Sequence, residues 1–206
     1  MNLNNYYYYF EKALSPEVCE NIINTYTSFK FNNAEVKGEN KNVKNIRNSE
    51  VFFADDPELY DTINPFIHEA NFKAGWNFEW DWTEACQITR YTKDQFYDWH
   101  MDQLPDVYPS DYKFISQRNK IRKLSTVISL SNPDDYTGGQ FQFDFRNKKN
   151  INGKEIKDVR NIVNVEHLKQ QGTVVVFPSF IWHRVRPVLS GVRYSLVSWS
   201  LGPAWR

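Results

Sequence analysis

The stretch "GTVVVFPSFIWHRVRPVLSGVRYSLVSW" (172–199) contains two runs typical of β-strands, with a proline-containing turn after the first. The first run, 172–177, is rich in valine and typical of a buried strand. In the second, 193–200, successive side chains would point to opposite faces of a sheet. Similar short runs, bounded by turn residues, occur at 84–91, 124–130, 140–145 and 161–166. Because no long helix separates these runs, they indicate antiparallel sheets, as in a sandwich, a barrel or a jelly roll.

The N-terminal part of the chain has helical signals instead. Ser15 followed by Pro16 is typical of a helix start, since serine caps the first turn and proline fits the first helical position. A second helix is expected over about 57–73, either continuous or broken at Pro65, and Gly75 ends it.

The remaining N-terminal segments predict a short strand at 6–10 and a polar surface loop at 32–50. The length of 206 residues suits one domain. We therefore expect a single domain over 1–206, with a helical flank and loop over about 1–83 and a β-rich core over about 84–206.

Composition narrows the class of protein. Hydrophobic residues make up 41% of the chain, which is enough for a packed core. Lys+Arg and Asp+Glu are both 25, and this lack of a basic excess argues against nucleic acid as a partner. No signal-peptide pattern is visible, and no apolar run approaches the roughly 20 residues of a membrane span. Together with Cys19 and Cys86, which fit reduced thiols, these features predict a cytoplasmic protein with no membrane contact.

A charged run at 146–160 holds six basic and two acidic side chains. It fits either a surface for an anionic partner or a solvated hairpin between strands, and the hairpin is the more common reason for such a run.

A pair of metal-ligand types stands at His100 and Asp102, two positions apart, so that on an extended segment both side chains point the same way. His183 follows the buried strand and its turn, a place where barrel folds put their sites, and it is the favoured third ligand. His68 and His167 are the other candidates and fit ordinary surface or partly buried histidines better. Two imidazoles and one carboxylate form the facial triad typical of non-haem Fe(II).

A possible anion site lies on the last predicted strand. Period-two alternation puts Arg193 and Ser195 on one otherwise mostly apolar face, where a buried arginine needs an anionic partner. That partner is either a ligand carboxylate or an internal acid such as Glu84 or Asp144, and spacing alone leaves both open. A polar row on strand 84–91, which includes Tyr91, fits a lined pocket or a core with satisfied hydroxyl groups.

These residues resemble the Fe(II)/2-oxoglutarate-dependent dioxygenases, and within them the prolyl-4-hydroxylase-like (prolyl/lysyl hydroxylase) branch. The resemblance rests on the ordered set of H-x-D, distal His and R-x-S, and on four stretches of the chain. These are "KALSPEVCENII", "RYTKDQFYDWHMD", "RKLSTVISLSNPDDYTGGQFQF" and "GTVVVFPSFIWHRVRPVLSGVRYSLVSWSLGPAW".

The resemblance implies a mainly β fold, a double-stranded β-helix (jelly-roll) core with N-terminal helices packed on one side. It implies that His100, Asp102 and His183 are the catalytic iron ligands. It further implies that Arg193 binds the distal carboxylate of 2-oxoglutarate, assisted by Ser195 and Tyr91. Fe(II), 2-oxoglutarate and O2 are then the expected cofactor and cosubstrates, with ascorbate as a candidate additional requirement.

The expected reaction hydroxylates a C–H bond and releases succinate and CO2. The leading substrate is a prolyl residue in a peptide or protein, lying between the 92–99 loop and the 103–120 segment, which could form a lid. Aromatic side chains that could line the approach to the iron are Tyr97, Trp99, Phe141 and Trp182.

Three functional alternatives remain open or are argued against. The enzyme could instead hydroxylate a free amino acid or another small molecule, or the chain could be an inactive jelly-roll binding module, although the intact ligand set argues against the module. The third alternative, demethylation of nucleic acid, is argued against. The alkylation-repair branch of the family carries a second arginine six residues after the cosubstrate arginine, whereas this chain has Trp199 there. The sequence does not predict the oligomeric state.

Overall fold

The computed structural model describes residues 3, 5–34, 46–151 and 154–205, with backbone alone for 147–151 and 154–159. Two antiparallel sheets form most of it. The strands are β1 (Tyr8–Phe10), β2 (Asn32–Asn33), β3 (Arg47–Asn48), β4 (Glu50–Ala54), β5 (Trp82–Thr83), β6 (Cys86–Tyr91), β7 (Phe96–His100), β8 (Lys120–Ser129), β9 (Tyr136–Gly138), β10 (Phe141–Asp144), β11 (Asn147–Ile151), β12 (Lys154–Val159), β13 (Ile162–Asn164), β14 (Val174–Pro178), β15 (Trp182–Val185), β16 (Val188–Gly191) and β17 (Arg193–Pro203).

The larger sheet has the order β1-β14-β8-β17-β6-β4-β2, with β5 added beside β17, and the smaller has the order β13-β10-β15-β7-β3. Two further pairs, β11 with β12 and β9 with β16, form two-stranded sheets. The fold is therefore mainly β, a jelly roll of facing antiparallel sheets, and all six core strands predicted from the sequence are present.

Two helices cover the outer face of the larger sheet. Helix α1 (Pro16–Thr27) begins at Ser15, whose hydroxyl accepts a hydrogen bond from the Val18 amide at 3.3 Å, as predicted. Helix α2 (Pro57–Lys73) is continuous, with Pro65 inside it, so the broken alternative is wrong. It ends before Gly75, which has a φ of +74° that suits glycine.

Strand β14 shows how the core is divided. Val174 and Val176 pack against the helices, whereas Val175 and Phe177 face the smaller sheet. Because successive side chains of a strand point to opposite faces, a run of apolar residues here serves two cores at once. The inner core, between the sheets, also contains Phe143 and Val185 from the smaller sheet.

The prediction of a surface loop over 32–50 is wrong at its C-terminal end; residues 35–45 lie outside the described part of the chain. Arg47 and Ser49 are buried, with 6% and 3% exposure. Strand β3 pairs with β7, and β4 pairs with β6 along its length. This segment therefore belongs to the sheets and brings Arg47 next to His100's strand.

The predicted hairpin at 146–160 is confirmed at the level of the backbone, because β11 and β12 pair antiparallel. No helix in the described part of the chain is long and apolar enough to cross a bilayer.

The two cysteines are free and fully buried. Burial raises the pKa of Cys19 to about 11 and that of Cys86 to about 12. Cys19 lies on the inner side of α1, and Cys86 begins β6 in the same core.

Candidate metal centre

Three side chains meet at one edge of the smaller sheet. His100 ends β7 and is the direct cross-strand partner of His183 in β15, while Asp102 lies in the turn that follows β7. Their nearest ligand atoms all lie within 4.8 Å of one another. One Asp102 carboxylate oxygen is 3.7 Å from Nε2 of His100, and the other is 3.5 Å from Nε2 of His183. The structure thus brings together the residues that the sequence proposed as ligands.

The histidine rings are oriented for metal binding. Nδ1 of His100 lies 2.7 Å from the Asp98 carbonyl oxygen, and Nδ1 of His183 lies 2.9 Å from that of Ile181. Since a carbonyl oxygen can only accept, each Nδ1 carries the proton and donates it. Nε2 of each ring is then left with its lone pair directed into the cluster, as a metal ligand requires.

The charge state of the cluster also suits a divalent ion. Burial alone would raise the pKa of Asp102, but His183, His100 and Arg122 outweigh it and lower this pKa to about 2. Burial and the neighbouring His183 lower the pKa of His100 well below its usual value. One Asp102 carboxylate oxygen is buried without a hydrogen-bond partner in the described structure. Two imidazoles and a carboxylate with an unsatisfied oxygen fit Fe(II) in a facial triad.

The turn that carries Asp102 is held from several sides. The backbone amides of Asp102 and Gln103 both donate to the Ser179 carbonyl oxygen, at 3.0 and 2.9 Å. The Arg122 guanidinium donates to the Asp102 carbonyl oxygen at 3.3 Å. The Gln103 side chain accepts from the indole of Trp205 at 2.8 Å. These contacts fix the carboxylate although it lies outside a strand.

Aromatic rings pack around both histidines. Tyr97 stacks on His100 with 3.4 Å between ring centroids, and Phe177 contacts His183 at 4.8 Å. The Arg47 guanidinium lies 4.4 Å from the Tyr97 ring, and one of its terminal nitrogens is buried without a hydrogen-bond partner. The sequence interpretation missed Arg47; the signal that could have found it is the run Val51–Ala54 just after it, which marks a strand.

A cavity of about 680 Å³ opens at the metal-ligand cluster. Its walls come from the segment after Asp102, from β6 and β17, and from the N-terminal strands β2 to β4. The lining residues are Asn32, Asn33, Arg47, Val51, Phe53, Glu84, Ala85, Gln87, Tyr97, His100, Met101, Asp102, Leu104, Tyr112, Lys113, Phe114, Gln117, Arg122 and Trp199. Tyr97 is the one residue of 92–99 in this lining, so the cavity lies between 101–117 and the N-terminal strands rather than beside the 92–95 turn.

The other aromatic candidates are placed differently. Phe141 packs inside the core at 5.5 Å from the His183 ring. Trp182 and Trp99 are next to the metal-ligand histidines in sequence, and they stack under Arg146 and Arg184 at 4.2 and 4.5 Å. None of these three lines the cavity.

Arg193 is buried, with 1% exposure, and faces Tyr91 across the β6–β17 pair. Its guanidinium donates to the Ser195 hydroxyl at 3.3 Å and lies 5.6 Å from the Tyr91 ring. A Cβ at position 139 would lie 2.9 Å from the Arg193 Cδ, so Gly139 leaves room for this side chain.

The internal acids proposed as partners of Arg193 pair elsewhere. Glu84 accepts from Arg122 through both oxygens, each at 2.7 Å, and Asp144 lies 3.4 Å from Arg146. Among the residues that the structure describes, Arg193 has no ion pair with a carboxylate.

The two alternative histidines lie away from the metal-ligand cluster. His68 packs on Trp80 at 4.6 Å, and His167 stacks on Tyr9 at 4.1 Å and pairs with Glu11. Within the described residues, His100, Asp102 and His183 are the group with metal-binding geometry.

The sequence profile of the 2OG-Fe(II) oxygenase superfamily matches residues 86–201, which include all three candidate ligands and Arg193. The chain belongs to this family. As an oxygenase of the 2OG-Fe(II) superfamily, it is expected to use Fe(II), 2-oxoglutarate and O2, and the donor set described above fits the iron.

A PKHD-type hydroxylase of Synechococcus sp. (strain CC9605) is 31% identical to the chain over 112 residues. The match covers 54% of the chain but 39% of that relative, so the chain spans well under half of its length.

Solved structures with the same fold include several prolyl hydroxylases. A Pseudomonas putida prolyl-4-hydroxylase has a TM-score of 0.66 at 19% identity, over 96% of this chain and 93% of that one. A viral collagen prolyl hydroxylase from Paramecium Bursaria Chlorella virus-1 has a TM-score of 0.63 at 20% identity, over 97% of both chains. A Trichoplax adhaerens prolyl hydroxylase, solved with a peptide fragment of hypoxia inducible factor, has a TM-score of 0.64 at 20% identity, over 96% of this chain and 84% of that one. At these identities the likeness establishes the fold.

Proposed function

We propose that this oxygenase hydroxylates a C–H bond of a prolyl residue in a peptide or protein. The observation that carries the reaction class is the combination of a His-Asp-His cluster, in which Asp102 and His183 are buried and His100 is partly buried, with a buried arginine that lacks a carboxylate partner in the described structure. When bound, Fe(II) supplies the oxidation, in which substrate, 2-oxoglutarate and O2 give hydroxylated substrate, succinate and CO2.

The residues of the chain bind and orient the reactants. His100, Asp102 and His183 would hold the iron and leave three of six octahedral positions for cosubstrate and O2. Arg193 would bind the distal carboxylate of 2-oxoglutarate through a bidentate contact, with Ser195 and Tyr91 beside it. Burial raises the pKa of Tyr91, so its hydroxyl stays protonated and can donate to an anion.

The shape and lining of the cavity support a peptide substrate. Phe53, Met101 and Phe114 line it and remain 55%, 41% and 50% exposed, which gives its mouth an apolar rim. Aromatic-lined grooves suit the preformed polyproline conformation, which loses little entropy on binding. A neighbour of the same fold was solved with a peptide bound, and this adds to the support.

The test is incubation with Fe(II), 2-oxoglutarate, ascorbate and a library of proline-containing peptides, with free proline and free lysine alongside. We expect succinate and a product one oxygen heavier on a peptide. Product on a free amino acid alone would reject the peptide substrate and favour the small-molecule reaction, and product on peptidyl lysine alone would reject proline.

Asp102→Ala tests the metal centre directly. It removes the one anionic ligand, so turnover should fall below detection and bound metal should be lost while the fold survives. Asp81→Ala is the matched control, since Asp81 is an exposed aspartate paired with Lys120 and lies outside the cavity lining. Full activity and metal content in Asp102→Ala would show that the ligand assignment is wrong.

A further inference from the structure

One buried carboxylate connects the metal-ligand turn to the wall of the cavity. Glu84, 7% exposed, accepts from Nε and Nη2 of Arg122 at 2.7 Å each and from the Tyr108 hydroxyl at 2.9 Å. The remaining terminal nitrogen of Arg122 donates to the Asp102 carbonyl oxygen at 3.3 Å. The Trp199 ring lies 4.0 Å from the same guanidinium. A single chain of contacts therefore runs from Tyr108 through Glu84 and Arg122 to Asp102.

Tyr108 is the anchor of the segment 103–119. Its amide donates to the Lys120 carbonyl oxygen, and its own carbonyl oxygen accepts from the Asn119 amide, each at 2.9 Å. Tyr108 also packs with Trp199 and Leu201, and Leu104 and Tyr112 pack against this cluster. The segment held in this way contributes five side chains to the cavity lining: Leu104, Tyr112, Lys113, Phe114 and Gln117.

A buried ion pair is weak evidence for stability, because the desolvation of both charges offsets their attraction. This ion pair matters instead for the orientation of the arginine. The Glu84 carboxylate binds the Nε and Nη2 edge of the Arg122 guanidinium, and this contact directs Nη1 toward the Asp102 carbonyl oxygen. Residues that hydrogen-bond to a metal ligand without touching the metal orient that ligand. Their loss typically weakens metal affinity by about 10- to 100-fold.

We propose that Glu84 and Arg122 are positioning residues that hold Asp102 in place as a ligand and fasten the cavity wall 103–119 to it through Tyr108. This inference rests on the proposed function, since it assumes that Asp102 binds the metal. In this proposal the Glu84 carboxylate helps to position both Asp102 and the segment 103–119 that lines the cavity.

The experiment measures the dissociation constant of Mn(II), used as the probe metal, for wild type, Glu84→Gln and Glu50→Gln. Glu50→Gln is the matched control, because Glu50 also pairs with an arginine, Arg90, at 2.8 Å, but on the neighbouring strands β4 and β6 rather than at the metal-ligand turn. We expect Glu84→Gln to weaken Mn(II) binding by about 10- to 100-fold and Glu50→Gln to change it by less than about twofold. The Co(II) ligand-field spectrum should change in Glu84→Gln and not in the control.

Tyr108→Phe separates the two ends of the chain of contacts. It removes one hydroxyl, so Mn(II) binding should stay within about threefold, while trypsin cleavage after Lys113 or Arg118 should become about 2- to 12-fold faster. If Glu84→Gln does not fold, Glu84→Asp, which keeps the charge but shortens the side chain, takes its place with an expected weakening of at least about threefold.

A folded Glu84 variant that binds Mn(II) as tightly as wild type overturns the proposal and leaves Glu84 a structural residue. Asp102→Ala, measured in the same series, separates this from failure of the metal centre itself. If wild type and Asp102→Ala bind Mn(II) equally, it is the proposed ligand set that is wrong.

Discussion

Two arginines on neighbouring strands of the larger sheet, the partly buried Arg122 and the buried Arg193, differ in how their charge is compensated. Arg122 on β8 has a bidentate carboxylate partner in Glu84, whereas Arg193 on β17 has a hydroxyl, Ser195, and no carboxylate among the described residues. Burial lowers the pKa of Arg122, but Glu84 and Tyr108 raise it above the ordinary value of arginine. A desolvated cation needs an anion, so the comparison supports the proposal that a ligand supplies the anion for Arg193.

The largest effect that would sharpen this comparison is expected from Arg122→Leu. The substitution leaves Glu84 buried without its cation, and the free energy of unfolding should fall by about 3–5 kcal/mol. Urea denaturation of the metal-free protein measures it. A loss below about 1 kcal/mol would mean that water or another group takes over the role of Arg122, and the contrast with Arg193 would disappear.

Arg193→Leu should have the opposite profile. Loss of one charged contact of about 1.5–3 kcal/mol should raise the KM for 2-oxoglutarate by roughly 10- to 100-fold. The free energy of unfolding should stay within about 1 kcal/mol of wild type, because no internal ion pair is broken. Succinate formation at varied 2-oxoglutarate, with Mn(II) affinity as the control, makes the measurement. An unchanged KM would show that Arg193 is a structural residue that does not bind the cosubstrate.

A smaller effect is expected in the pH dependence of stability, through His100 of the metal-ligand cluster. The pKa of His100 lies well below its unfolded value, so below pH of about 6.5 the unfolded chain binds a proton that the folded chain does not. Stability of the metal-free protein therefore falls as pH drops through this range. Between pH 7.5 and 5.5 the free energy of unfolding of wild type should decrease by about 1 kcal/mol more than that of His100→Gln. Equal pH dependence of the two proteins would contradict a neutral, desolvated His100.

The β core and the grouping of His100, Asp102 and His183 could be predicted, because each rests on short stretches of sequence. The run at Val174–Pro178 has the composition of a strand, and alternation correctly put Arg193 and Ser195 on one buried face. The position of Arg47 could not be predicted in the same way. Its segment is polar and lies 50 residues from the β7 strand it joins, so only the folded chain shows the contact.

The aromatic residues near the histidines show a second limit. Alternation already places Trp99 and Trp182 on the opposite face from His100 and His183, and they lie there, under arginines. The same alternation predicts that Tyr97 lies on the face opposite His100. The register between β7 and β15 shifts between His183 and Val185, however, and Tyr97 stacks on the His100 ring. An extra residue of this kind is fixed by pairing between strands, which a single sequence does not reveal.

The burial of the two cysteines has a consequence for their reactivity toward oxidants. Cysteine sulfur is oxidised chiefly as the thiolate, so its susceptibility follows the ionised fraction and the exposure of the thiol. With pKa values of about 11 and 12, Cys19 and Cys86 have little thiolate near neutral pH. At pH 7.5 the ionised fraction is roughly 1 in 3,000 or lower, compared with about 1 in 10 for an ordinary cysteine. Burial on the helix side of the core therefore keeps both thiols protonated and slow to react.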